Sequence, residues 1–259
     1  MSDRVFLSFD VEEFDLPLEY GRDISLDEQI GSGLAGLEIV ERLLNRLQVT
    51  STMFCTGVLA EAAPATIRRL SERHEIASHA WSHTTFDSAD PVRSRAFLSG
   101  VVGHPVTGFR RPRLQPTDRG LLERAGFRYD SSLNPIWLPG RYNNLASPRL
   151  PHRIGSLVEI PISTTPKLRL PLFWLAFKKV PLTVFKIWCA ACLKADGHMN
   201  LFFHPWEFLE LSHYRLPGLV ATPDGEILLN KLERLLLWLK ARASFDTFQT
   251  LADMVESKE

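Results

Sequence analysis

The segment RVFLSFDVEEF (residues 4–14) is an apolar, β-rich run that ends in acids. It reads as a buried strand that delivers polar groups at its C-terminal end. Strand side chains alternate between faces, so Asp10 and Glu12 share a face while Val11 points the other way. Downstream, GLAGLEIVERLLNRLQ (33–48) places Leu37, Val40, Leu44 and Leu47 on one stripe of an amphipathic helix. TSTMFCTG (50–57) is a short strand, PATIRRLSERH (64–74) a helix opened by proline, and EIASHAW a third strand. A helix near 91–99 precedes a strand running into GFRRPR. TDRGLLERAG is a helix stopped by Gly126, and FRYDSS is another strand. The pattern returns in SLVEIPIS (156–163), in MNLFFHPWE (199–207) and in a helix over 225–243. Strands and helices alternate at roughly 25-residue intervals, which predicts parallel β/α units in a single domain over 1–259.

Residues 134–198 break the rhythm. NPIWLPGRYNNLASPRLPH is followed by a very apolar stretch interrupted by Lys178, Lys179 and Lys186 and punctuated by Pro171 and Pro181. Its longest uncharged run, Leu170–Phe177, falls far short of the ~18 residues of a membrane span. Two readings follow: helices packed on the domain, or an apolar lid or groove that touches a lipid carrier or the membrane surface.

Composition excludes several classes. Thirty basic and thirty acidic side chains cancel, so no global field recruits nucleic acid. Acidic residues interrupt the N-terminal apolar run before a signal peptide could form, and three cysteines are too few for a disulfide framework; both point to a cytoplasmic setting. Cys189 and Cys192 have redox spacing but lie deep inside an apolar helical run, so we expect buried thiols.

The chemistry collects at strand ends, the active face of a parallel β/α barrel. Asp10 and Glu12 end the first strand, where one carboxylate can bind metal and the other act as a base. His79 and His83, in ASHAWSH, end the third. Imidazoles at this spacing suit Zn²⁺, and a carboxylate as third ligand leaves a position open for water. The second position of a His-Glu-x-x-His helix is Ala80 here, which removes that class. Arg110 follows the fourth strand and can pair with a carboxylate, the alternative being a basic surface loop with Arg111 and Arg113. His204 ends the late strand as a candidate general acid.

In combination and order, SFDVEEF, SHAWSH, GFRRPR, YDSSLNP and LFFHPWE resemble the polysaccharide deacetylase (NodB-homology, carbohydrate esterase) family. The resemblance implies a distorted (β/α) barrel of about seven parallel strands, with the apolar helical region as an insert. It also implies metal-dependent removal of an acyl group from an amino sugar. Asp10 resembles the catalytic base, Glu12 with His79 and His83 the metal ligands, Arg110 the arginine that holds the base, His204 the acid, and Asp130 the residue that orients His204. Two positions depart from the pattern. Val11 stands where a second aspartate usually follows the base, and Pro112-Arg113-Leu114 stands where Pro-Tyr-Gly is usual. The acidic start, the PGRYNNLASPR segment and the insert resemble a subgroup acting in capsule and O-antigen assembly. The substrate expected is therefore an amino sugar, free, nucleotide-linked or lipid-linked, with peripheral membrane contact in the last case. Arg141, Tyr142, Asn143 and Arg149 are candidate substrate contacts. The rival readings are a deformylase or other amidohydrolase of a non-peptide C–N bond, and an inactive sugar-binding module.

Overall fold

The computed structural model describes residues 3–138 and 142–257. Seven parallel strands follow one another round a distorted barrel: β1 (Arg4–Val11), β2 (Thr52–Cys55), β3 (Glu75–Ser78), β4 (Gly108–Phe109), β5 (Tyr129–Asp130), β6 (Leu157–Glu159) and β7 (His198–Phe203). Their order is β7-β1-β2-β3-β4-β5-β6. Ser244–Asp246 adds a parallel strand to the start of β1, and His152–Ile154 pairs antiparallel with β6. The ladder is open between β6 and β7. There the buried Asn200 side chain takes over: its Oδ1 accepts from Ser163 N (3.0 Å) and its Nδ2 donates to the Pro161 carbonyl (2.6 Å).

Strand alternation explains both layers. On β1, Val5, Leu7, Phe9 and Val11 face the outer helices and join one apolar cluster. Phe6 points inward and packs with Phe54, Tyr129 and Phe248, so the barrel floor is apolar. The next inward positions are Ser8 and Asp10, with Glu12 beyond the strand end. The barrel thus changes from apolar to polar along one strand. Each fully buried apolar side chain on the outer layer stabilises the fold by about 1.5–3 kcal/mol.

The amphipathic helix runs from Leu26 to Leu47, one turn and more longer at its start than its apolar stripe predicts. Ser25 caps it, accepting from Glu28 N at 3.2 Å. Two glycines fix how closely it lies under the catalytic face. A Cβ at Gly33 would come within 2.3 Å of the Glu12 carbonyl oxygen, and one at Gly36 within 2.4 Å of the Pro205 carbonyl oxygen. The same helix therefore supports the chain at Glu12 and just past His204.

The described residues of the insert divide between two environments. Phe177, Phe185, Cys189 and Leu193 are buried in the main core, as packed helices require. Phe173, Trp174 and Leu175 instead wall a cavity at the strand ends. Cys189 and Cys192 are buried on the Leu182–Asp196 helix, where burial raises both thiols, Cys192 to about 12. That environment suits inert small hydrophobes. No helix among the described residues is long and apolar enough to cross a membrane.

Candidate active site

The inward parity of four strands brings their terminal side chains together. On β1 the inward positions end at Asp10 and Glu12. On β3, Ala77 packs inside the barrel, so His79 follows it inward; on β7, Asn200 and Phe202 lead to His204. On β4, Phe109 belongs to the outer layer, which turns Arg110 in. All five named side chains are buried: Asp10, Glu12, His79, Arg110 and His204 are each 8% exposed or less. His83 comes from the loop after β3 and is equally buried.

Glu12 Oε2 lies 3.1 Å from His79 Nε2 and 3.2 Å from His83 Nε2. His79 Nδ1 donates to the Arg110 carbonyl oxygen at 2.9 Å, which points Nε2 at the Glu12 carboxylate. Neither Glu12 Oε2 nor His79 Nε2 has an aligned hydrogen-bond partner, although both are buried. Buried polar atoms without partners are costly, and a cation between these two would engage both. His83 Nδ1 is held at 2.7 Å by Asp15 Oδ1, which presents its Nε2 to the same point. Two imidazoles fixed through their far nitrogens and one carboxylate form a three-ligand set that fits a divalent ion such as zinc.

The electrostatics agree with that geometry. Burial opposes the Glu12 charge, but His83, His204 and His79 outweigh it and hold its pKa far below the ordinary carboxylate range. Burial opposes the His83 charge too, yet Glu12 and Asp15 raise its pKa to about 9. Without a cation, His83 therefore carries a proton that metal binding would displace.

Asp10 faces the ligand set from one side. Its Oδ1 accepts from Arg110 Nη1 at 2.6 Å, and its Oδ2 lies 3.9 Å from both His79 Nε2 and His204 Nε2. Arg110 is completely buried. Its guanidinium lies 3.9 Å from the Phe54 ring centroid and also bonds Ser8 Oγ, the Ser131 carbonyl and Ser131 Oγ. Nothing about it resembles a surface loop. Arg113 is also engaged, bonding Asp15 Oδ2 at 2.9 Å and the His83 carbonyl at 2.6 Å. Arg111 lies over the Phe86 ring and is more exposed.

The partner of His204 differs from the expected one. Glu207 Oε1 lies 3.2 Å from His204 Nδ1 and accepts from His204 N at 2.7 Å. The turn over Pro205–Phe208 folds this carboxylate back onto the histidine. Lys178 Nζ, buried in the insert, lies 3.9 Å from Glu207 Oε2. Burial opposes the His204 charge, but Glu12, Glu207 and Asp10 raise its pKa above the usual value. Asp130 is not brought to His204. Tyr129 points into the barrel, so alternation turns Asp130 away, where it accepts from Ser132 Oγ at 2.5 Å. It lines a separate cavity of about 410 Å³ with Asn143, Asn144 and Glu159, and burial pushes its carboxyl up to about 6.

Four residues of this network escape sequence reasoning: Asp15, Thr56, Trp206 and Glu207. Thr56 donates to Glu13 at 2.5 Å, Glu13 accepts from His83 N at 3.0 Å, and Trp206 Nε1 donates to Glu12 Oε1 at 3.0 Å. Asp15, Trp206 and Glu207 carry only the signal of lying in EEFD and HPWE, and Thr56 carries none. Of the substrate-contact candidates, Arg149 is bound to Asp196 (Nη1 to Oδ2, 2.6 Å), Asn143 faces the second cavity, and Arg141 lies outside the described residues. Only the backbone of Tyr142 is described, in a short strand with Asn143.

Residues 37–129 match the family model described as polysaccharide deacetylase. A Mycobacterium smegmatis crystal structure titled as a polysaccharide deacetylase superposes with a TM-score of 0.68, covering 98% of this chain and 90% of its own at 21% identity. The chain has the polysaccharide-deacetylase fold. A polysaccharide deacetylase structure from Pseudomonas aeruginosa PAO1 follows at 0.65 and 16% identity, with 96% and 89% coverage. The Puue allantoinase reaches 0.63 at 16% identity, with 96% and 89% coverage. No curated protein sequence matches. His79, His83 and Arg110 fall within the matched residues, while Asp10, Glu12 and His204 lie outside them.

Proposed function

We propose that this chain is a divalent-metal hydrolase, with zinc as the ion, that removes an N-acetyl group from an amino sugar of a bacterial surface polysaccharide or its precursor. One observation carries the proposal. A carboxylate (Asp10) and an imidazole (His204) face each other across 3.9 Å beside a three-ligand metal set, with Arg110 fixed on the far oxygen of Asp10.

Glu12, His79 and His83 would hold the ion, which when bound polarises the amide and acidifies water. Asp10 Oδ2 is free to accept the proton of attacking water, because Oδ1 is engaged by Arg110. His204 Nε2 delivers a proton to the departing amine, a poor leaving group until protonated; its ring is oriented by Glu207 on Nδ1 and by stacking on Trp206 at 4.8 Å. Phe173, Trp174 and Phe202 wall a cavity of about 90 Å³ and limit water around the reacting atoms.

The small volume of that cavity suits an acetamide and also favours a second reading, hydrolysis of a formamide or a small cyclic amide. The fold it shares with an allantoinase is compatible with this. A sugar-binding module with a dead site is disfavoured, since base, acid and three ligands are all present. The capsule and O-antigen setting and the cytoplasmic location belong to the same proposal, the latter resting on cysteine usage. Incubating zinc-loaded protein with N-acetylated and N-formylated amino sugars should release acetate. Formate alone would move the activity to the second reading, and neither acid from any sugar would remove the reaction.

A further inference from the structure

A third cavity, of about 420 Å³, opens beside the catalytic pocket, and Leu138, Phe173 and Leu175 line both. Its outer wall exposes large apolar side chains: Leu168 is 76% exposed, Trp137 60% and Leu145 48%. Contiguous exposed surface of this kind marks a binding site more often than a neutral one. Two cations, Arg169 and Lys179, sit on the same lining, which holds no acidic residue among those described. Arg169 donates to the Ser147 carbonyl at 3.1 Å, and Lys179 to the Gly218 and Thr222 carbonyls at 2.5 and 2.6 Å. Neither has a carboxylate partner among the described residues, so both charges are left for a ligand anion.

We infer that this groove holds the apolar chain of a lipid-linked substrate, whose phosphate lies near Arg169 and Lys179 and whose acylated amino sugar enters the catalytic pocket. The inference rests on the proposed deacetylation and names its substrate class. Continuity with the pocket argues for a tail on the substrate itself: a ligand occupying one cavity through Leu138, Phe173 and Leu175 necessarily abuts the other. A purely soluble sugar has no use for an apolar wall of this size, whereas a phosphate joined to a hydrocarbon matches both the cations and the exposed side chains. The groove volume is also within the range of small-molecule sites, ~300–1,000 Å³.

The probe is farnesyl phosphate, titrated calorimetrically into the full chain. Wild type should bind it, Leu168→Glu should weaken binding at least tenfold, and Arg169→Ala with Lys179→Ala should weaken it severalfold while leaving farnesol unaffected. Leu168 is highly exposed and outside the catalytic pocket, so Leu168→Glu should fold and keep acetate release from a soluble N-acetylated sugar within twofold. No binding to wild type, or equal affinity in wild type and Leu168→Glu, would overturn the inference. Two further results would overturn it in favour of other occupants. One is flotation with phosphatidylcholine–phosphatidylglycerol vesicles without farnesyl phosphate binding, which indicates a membrane surface. The other is a dimer that Leu168→Glu dissociates, without farnesyl phosphate binding, which indicates a second copy. Because the titration needs no turnover, it separates the two claims. Groove binding without acid release from any sugar sinks the reaction alone, and acid release without groove binding sinks the groove alone.

Discussion

Asp10→Asn will lower turnover by about 10²–10⁴-fold while the protein keeps its metal. The amide nitrogen or oxygen of asparagine fits the same space, but it cannot take a proton from water at neutral pH. Asp10 is not needed as a ligand, since Glu12, His79 and His83 complete a three-residue set without it. Metal content and kcat should therefore part company in this variant. A turnover within tenfold of wild type would show that the base lies elsewhere. Loss of metal together with activity would show that Asp10 is a ligand.

Arg110→Met will cost about 3–5 kcal/mol of stability, because it leaves a buried carboxylate without its counter-ion. Methionine fills much of the volume and can still pack on Phe54, but Asp10 Oδ1 loses its 2.6 Å partner and the Ser131 carbonyl and hydroxyl lose theirs. Lysine is a poor substitute, since one ammonium cannot reproduce a fork that reaches Ser8, Asp10 and Ser131 together. The double variant Asp10→Asn with Arg110→Met should recover part of the loss, as removing both charges is cheaper than stranding one. Chemical denaturation of the four proteins checks this. A shift below about 1 kcal/mol for Arg110→Met, or additive losses in the double variant, would contradict a charge pair that matters for folding.

Much of the site was legible because strand parity is local. Once β1 is recognised as a strand, Asp10 and Glu12 must share a face, and the apolar run of β7 must deliver His204 at its end. The same rule, applied one residue further, accounts for what the sequence hid. Tyr129 and Asp130 cannot both point into the barrel; the tyrosine packs against Phe54 and Phe248, and the aspartate turns out. Ser131, the next inward residue, is what reaches Arg110. Glu207 was not legible because its role depends on a tight turn over 205–208 that reverses the carboxylate onto His204. Asp15 and Arg113 meet across 98 residues of sequence, a contact that no periodicity encodes. Arg113 itself takes a left-handed backbone (φ +58°) in place of the expected family pattern, which aims its side chain at Asp15 and Glu19. The insert reads as merely apolar in sequence. Its division into core-facing residues and pocket-lining ones is set by packing against β7, which is a tertiary fact.

The central claim is that Glu12, His79 and His83 form a metal centre, and elemental analysis of purified protein tests it most directly. Wild type should carry about one equivalent of zinc, or take it up on addition, and His83→Ala should lose it, since only two ligands and an unheld position remain. Absence of metal from wild type even after zinc is supplied, or undiminished zinc in His83→Ala, would contradict the account.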